Sequence, residues 1–140
     1  MKLSEREETT KYANNIVSSY LKKNEYTSAL LLASIYVNIR LKSLLTDRLS
    51  PSKNKWRSVS KKLNFSFNNL LDRCNRLGIS KKYDFNPKYL KKLWKMRCSI
   101  AQESKLWKKL SEKDEEDIEE LCLSAKEFLE KTKNMDACEK

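Results

Sequence analysis

The sequence predicts an all-α fold: a single-domain antiparallel bundle of about five helices. Three observations carry this. One Gly and two Pro in 140 residues leave almost no turn vocabulary for hairpins. Apolar residues recur at helical spacing, and Ser, Asn and Pro stand where helices would start. A content of 39% hydrophobic residues is enough to build a core in one domain of this length.

The elements follow in order. Ser4 with Glu7 forms a capping box for a first helix reaching about Lys23. Residues 24–27 punctuate, and a second helix runs to about Leu49, stopped by Ser50 and Pro51. Its first half is apolar almost all round (Ala29, Leu30, Leu31, Leu32, Ala33, Ile35, Val37), so it belongs at the centre of the bundle. Its strongly apolar stretch, residues 29–37, is too short to span a bilayer. Residues 52–64 are basic and weakly patterned around Trp56, Val59 and Leu63, consistent with a short helix or a loop. A third helix covers about residues 66–77, with Phe67, Leu70, Leu71 and Cys74 on one side and Gly78 following as its natural terminator. Asn86 and Pro87 start a fourth helix that reaches Ser104 or beyond. Ser111 opens a fifth with the regular stripe Ile118, Leu121, Cys122, Ala125, Phe128, Leu129. The domain is expected to span residues 1–132, and residues 133–140 to form a frayed tail.

Charge is unevenly placed. The net is +11, but residues 51–109 hold 17 basic and 3 acidic residues while residues 110–140 hold 5 basic and 11 acidic. A basic block suits a polyanion, most readily nucleic acid; the plainer reading is a solvated lysine surface partly neutralised by the acidic last helix. Lys91, Lys92, Lys95, Lys105, Lys108 and Lys109, interleaved with aromatics, suit a single RNA strand, with Trp107 and Trp56 as stacking candidates. The charged amino terminus and the spacing of Cys74, Cys98, Cys122 and Cys138, with no Cys-x-x-Cys pair, fit a cytoplasmic protein with reduced thiols. The acidic run at 114–117 complements the positive end of a helix more simply than it binds a metal. No metal, cofactor or membrane is expected.

The chain contains no histidine. Triads, His-based proton transfer and His-containing zinc sites are excluded in their usual form. One arginine is out of place. Arg97 falls in the apolar stripe of Leu90, Leu93, Trp94, Ile100 and Ala101, where an unpaired guanidinium is costly. It is explained by a buried ion pair, by a stem that packs while the head escapes, or by a face that lines an interface or a phosphate cleft.

The run 93–102 (LWKMRCSIAQ) resembles the signature helix of HEPN domains, which read Arg, a polar residue, a short spacer and then His. Residues 29–45 (ALLLASIYVNIRLKSLL) are similar to the second helix of that family, and the segment from Leu110 to Leu129 to its closing helix. The resemblance implies a helical bundle that dimerises through the signature face, here Leu93, Arg97 and Ile100, as a homodimer or with another HEPN chain. It also implies a metal-independent ribonuclease ancestry in which the Arg steadies a phosphate and the His moves a proton. The sequence departs from the pattern where chemistry is done: Gln102 stands in the His position, Asn38 replaces a Glu, and Cys98 follows the Arg. Gln has no proton to exchange near neutrality. The expected function is therefore a non-catalytic HEPN-like domain that binds RNA or pairs with an effector or ribonuclease. A basic helical subunit of a ribonucleoprotein complex and a pure interaction module, antitoxin-like or an inactive paralogue, are the alternatives.

Purified protein is expected to leave end-labelled RNA intact with or without divalent metal. Cleavage that vanishes in an Arg97→Ala variant would overturn the non-catalytic reading.

Overall fold

The computed structural model describes residues 5–102 and 110–134. Seven α-helices follow one another: α1 (Glu5–Lys22), α2 (Tyr26–Leu49), α3 (Trp56–Lys62), α4 (Phe67–Arg76), α5 (Ile79–Lys82), α6 (Pro87–Gln102) and α7 (Glu112–Lys131), with one 3₁₀ turn at Lys53–Lys55 and no strand among the described residues. The all-helical expectation holds, and the count of five is corrected by two short helices. α3 settles the segment left between helix and loop. α5 is a single turn, too short for any apolar period to reveal.

The boundaries have local causes. Ser66 Oγ accepts from the Asn69 N–H at 3.3 Å and Ser111 Oγ from the Asp114 N–H at 3.1 Å, satisfying first-turn donors of α4 and α7. Asn86 Oδ1 accepts from the Lys88 N–H at 2.9 Å, with Pro87 opening α6. Asn24 (φ 59°) ends α1 in the left-handed region, where the Glu25 N–H reaches back to the Tyr20 carbonyl at 2.9 Å. Asp84 (φ 57°) does the same after α5, through the Phe85 N–H and the Ser80 carbonyl at 3.0 Å. Gly78 (φ 76°) turns the chain between α4 and α5. Ser4, the proposed cap of the first helix, lies outside the described residues.

α2 is the central element and packs against α1, α3, α4, α6 and α7. It buries Ala29, Leu30, Ala33, Val37, Leu41, Leu44 and Leu45, and the α7 stripe predicted from Ile118 to Leu129 is buried in full. Long-range pairs fix directions. Asn14 bonds Glu130 and Lys126 bonds Ser18, so α1 and α7 run antiparallel. Arg6 meets Asp47 while Tyr12 meets Tyr36, so α1 and α2 do too. By length and composition alone α2 could cross a membrane, but just over half of its most apolar window is buried inside the bundle. The all-round apolarity has one exception: Ile35 and Ile39, one turn apart, are about half exposed.

The core also contains charge. Arg40, 3% exposed, donates from Nη1 to the Leu129 carbonyl at 2.8 Å and Thr132 Oγ1 at 2.9 Å. From Nη2 it donates to the Arg6 carbonyl at 3.2 Å and Thr10 Oγ1 at 2.6 Å. Arg6 pairs with Asp47 at 2.9 Å and donates to Ser43 Oγ, and the Trp56 indole N–H donates to Asp47 Oδ1 at 2.7 Å. Thr132 is fully buried, and the Asn134 carbonyl accepts from Arg6 at 3.4 Å.

Burial, with the neighbouring Arg6 charge, lowers the Arg40 pKa to about 10, so the group stays protonated at neutral pH. A cation whose folded pKa is depressed costs stability at every pH below that value and is relieved only as pH rises through it. The contribution of Arg40 to stability should therefore stay nearly constant from pH 6 to 9. Arg40→Ala orphans buried acceptors and opens a cavity, and is expected to cost about 3 kcal/mol in urea denaturation, with Arg40→Lys recovering part of it. A loss under about 1 kcal/mol would mean that the network is not a keystone.

Candidate nucleic-acid interface

α6 sorts its side chains into three strips. Leu90, Leu93 and Ile100 are at most 2% exposed and face the chain's own core. Lys88, Lys91, Lys92 and Lys95 are exposed and, at 100° per residue, cover a contiguous sector of about 100° away from that core. Trp94 lies at one border, its ring parallel to that of Phe67 on α4 with centroids 4.4 Å apart. Tyr89 and Met96 lie at the other border, next to α7.

Of the residues expected at a dimer face, Leu93 and Ile100 pack into the chain's own core and Arg97 alone reaches solvent. Arg97 is half-buried, its guanidinium 4.7 Å from the Trp94 ring centroid, and no carboxylate pairs with it among the described residues. Its place in an apolar stripe is explained by a stem that packs and a cation that lies on an aromatic ring. Arg73 repeats the device over Phe65 at 4.0 Å. The described residues thus hold two arginine–aromatic stacks, one within α6 and one between α4 and the segment before it, neither of which was foreseen as a pair.

Of the residues expected to bind nucleic acid, Arg97, Lys91, Lys92 and Lys95 share α6, with Lys91 tied to Asp72 at 3.6 Å and Lys92 5.8 Å from the centre of the Tyr89 ring. Lys105, Trp107, Lys108 and Lys109 lie outside the described residues, as does the side chain of Gln102. The acidic helix borders the lysine strip: Lys92 and Lys95 line one cleft with Asp117 and Glu120 of α7. Within α7, Lys131 pairs with Glu127 at 3.0 Å, and just beyond it Lys133 pairs with Glu130 at 3.0 Å. Lys88, Lys92 and Lys95 meet no carboxylate within ion-pair distance among the described residues.

Two further clefts lie elsewhere on the molecule. The larger, about 660 Å³, lies between the α5–α6 turn and α7, with Phe85 edge-on to Phe128. Its cation Lys131 is held by the Asp84 carbonyl at 2.7 Å and by Glu127, and Asp84, Glu120 and Glu127 outnumber Lys81 and Lys131 there, which disfavours an anion. The other, about 400 Å³, lies on the far side of α2 between α1, α2 and α3, and is lined by Arg6, Arg40, Lys42 and Arg57. Sequence reasoning missed it, although Arg40 stands among Val37, Leu41 and Leu44 just as Arg97 does in its own stripe.

Among the described residues no group of three or more Cys, Asp or Glu side chains could hold a metal ion, the acidic start of α7 included. Cys74 and Cys122 are buried, and burial pushes both thiols up to about 12, far from nucleophilic use at neutral pH. Compared with known families, characterised proteins and solved structures, the chain matches none. The HEPN resemblance rests on its motif residues alone.

Leu93→Ala is expected to cost about 2–5 kcal/mol, independent of protein concentration, while Arg97→Ala costs about 1 kcal/mol or less. A Leu93→Ala midpoint that depends on protein concentration would restore the interface reading.

Proposed function

We propose that this protein is a non-catalytic RNA-binding helical module that engages a single strand along the exposed lysine strip of α6 and the basic segment after it. The observation that carries the reading is the exposed strip: Lys88, Lys92 and Lys95 stand on one solvent-facing sector of a single helix, none in an ion pair among the described residues, with the half-buried Arg97 on the opposite side of that helix. Ammonium groups spaced along a helix follow a phosphate backbone without reading sequence, and neighbouring aromatics offer stacking surfaces. The absence of histidine removes the proton-transfer group that the HEPN-like motif would need. In this proposal Arg97 is a phosphate contact and Gln102 a vestige, with a cytoplasmic RNA as partner and no cofactor.

A second reading, a partner subunit in an effector complex, is favoured by a different observation. Ile35 and Ile39 expose an apolar strip on α2, flanked by the exposed Tyr12 of α1. Pairing through that strip replaces the family-type pairing through Leu93 and Ile100.

Binding to a labelled single strand is expected to fall steeply with salt. With about four to six phosphate contacts, log K against log[salt] has a slope of about −3 to −4. Charge reversal of Lys88, Lys92 and Lys95, or of Lys105, Lys108 and Lys109, should flatten that slope, whereas Trp107→Ala should weaken binding and leave the slope in place. Affinity no better than millimolar at low salt would retire the RNA reading in favour of the partner subunit.

A further inference from the structure

The cleft between α1, α2 and α3 has a charge that the fold does not explain. Its floor is Arg6 and Arg40, each at least 94% buried, and among the described residues Asp47 is the one carboxylate in an ion pair with either. Its rim adds Lys42, half-buried, and Arg57, exposed, neither of which has a hydrogen-bond or ion-pair partner among the described residues. Counting Glu5 on the rim and Asp47 behind the floor, the cleft keeps an excess of two positive charges. Burying two guanidinium groups is costly, and the structure offsets that cost with hydrogen bonds to Thr10, Thr132 and backbone carbonyls, with the Arg6–Asp47 pair and with the nearby charge of Glu130.

The remaining lining is chosen for hydrogen bonding and for a flat surface. Ser43 Oγ accepts from Arg6, which leaves its own hydrogen free to donate into the cleft, and the Ser60 hydroxyl faces the same space. Trp56 forms one wall, and its indole is held in place by the 2.7 Å bond to Asp47 Oδ1, so ordering the ring costs nothing when a ligand arrives. The exposed Ile39 continues that wall. A volume of about 400 Å³ accommodates one nucleotide and excludes a folded or double-stranded nucleic acid.

We propose that this cleft binds the phosphate monoester of a single nucleotide, either at the end of an RNA strand or as a free nucleoside monophosphate, with the phosphate between Lys42, Arg57 and the Ser43 and Ser60 hydroxyls and the nucleoside against Trp56. Charge selects the monoester. A terminal phosphate carries about −1.5 to −2 at neutral pH and matches the excess, whereas a backbone diester carries a single charge. Arg57 supplies a planar fork for two phosphate oxygens, and Lys42 a point charge beside it. The strand-end form rests on the RNA reading above; the free-nucleotide form does not.

Isothermal titration of the full chain tests this with four probes: a uridine octamer with hydroxyl ends, the same octamer with a 5′-phosphate, the same with a 3′-phosphate, and free uridine 5′-monophosphate. The expected result is at least about tenfold tighter binding of one phosphorylated octamer than of the hydroxyl-ended one, with the preference lost in Lys42→Glu/Arg57→Glu. Arg57→Ala, on an exposed position, should reduce the preference without disturbing the fold if the double variant proves unstable. Indifference to end phosphate, but binding of the free monophosphate that the same variants abolish, assigns the cleft to free nucleotides. Indifference to end phosphate together with no response to the monophosphate overturns the proposal, as does a preference that survives both variants. The hydroxyl-ended octamer reports separately on the α6 strip: if it binds in a salt-dependent way while the cleft fails, the RNA reading stands without the cleft.

Discussion

The structure depends on one buried cation. Arg40 projects from the middle of the central helix and, with four hydrogen bonds, closes the ends of two others. Its contact with the Leu129 carbonyl falls in the last turn of α7, where a helix has carbonyls without internal partners and a negative dipole end. Its contacts with the Arg6 carbonyl and Thr10 hold the first turns of α1. A leucine at position 40 would pack, but it would leave the end of α7 unsatisfied inside the core. The guanidinium is tolerated because four of its five N–H groups donate to oxygen, with Glu130 and, through Arg6, Asp47 supplying negative charge nearby.

That network accounts for the hydropathy of α2. A helix that serves as the common wall for five others needs apolar side chains on most of its circumference, so it has the composition of a membrane span without the setting of one. Ile35 and Ile39 mark the sector where no helix covers it. The same helix contributes Ser43 and Asp47 next to that sector, so a polar buried cluster and an exposed apolar strip adjoin within two turns. This juxtaposition of a cationic floor and an apolar, aromatic wall is absent from the larger cleft beside α7, where lysines are matched by carboxylates.

Much of the fold was legible because long amphipathic helices announce themselves. The α7 stripe, the Ser111 and Asn86–Pro87 starts and the Gly78 turn follow from local chemistry and stand where that chemistry put them. α5 was illegible because one turn has no period. The site was less legible, for a definite reason. Arg97 and Arg40 break their apolar stripes in the same way, yet a stripe does not say what lies opposite. Arg97 faces the Trp94 ring and is half in solvent, whereas Arg40 faces two helix ends and is wholly enclosed. Leu93 and Ile100 show the converse limit: an apolar pair beside an arginine fits an interface and a core equally until the partners are known. Pairwise proximity across elements, such as Trp56 to Asp47 or Phe67 to Trp94, is not encoded in any window of sequence.

What the molecule offers a ligand is fixed charge rather than transferable protons. With no histidine and with Cys74 and Cys122 held as neutral thiols, neither cationic surface depends on a histidine or on those thiols changing charge between pH 6 and 8. Lysine and arginine keep their charge throughout that range, including Arg40 at about 10. Between pH 6 and 8 these cationic surfaces answer to ionic strength, and any pH dependence of cleft binding would come from the ligand, whose monoester takes its second negative charge at about pH 6. The α6 strip is open and repetitive, whereas the α1–α2–α3 cleft is half open and, at about 400 Å³, has the size of one nucleotide. Under the proposed reading, long-range attraction would bring a strand to the first, and only the second would distinguish how the strand ends.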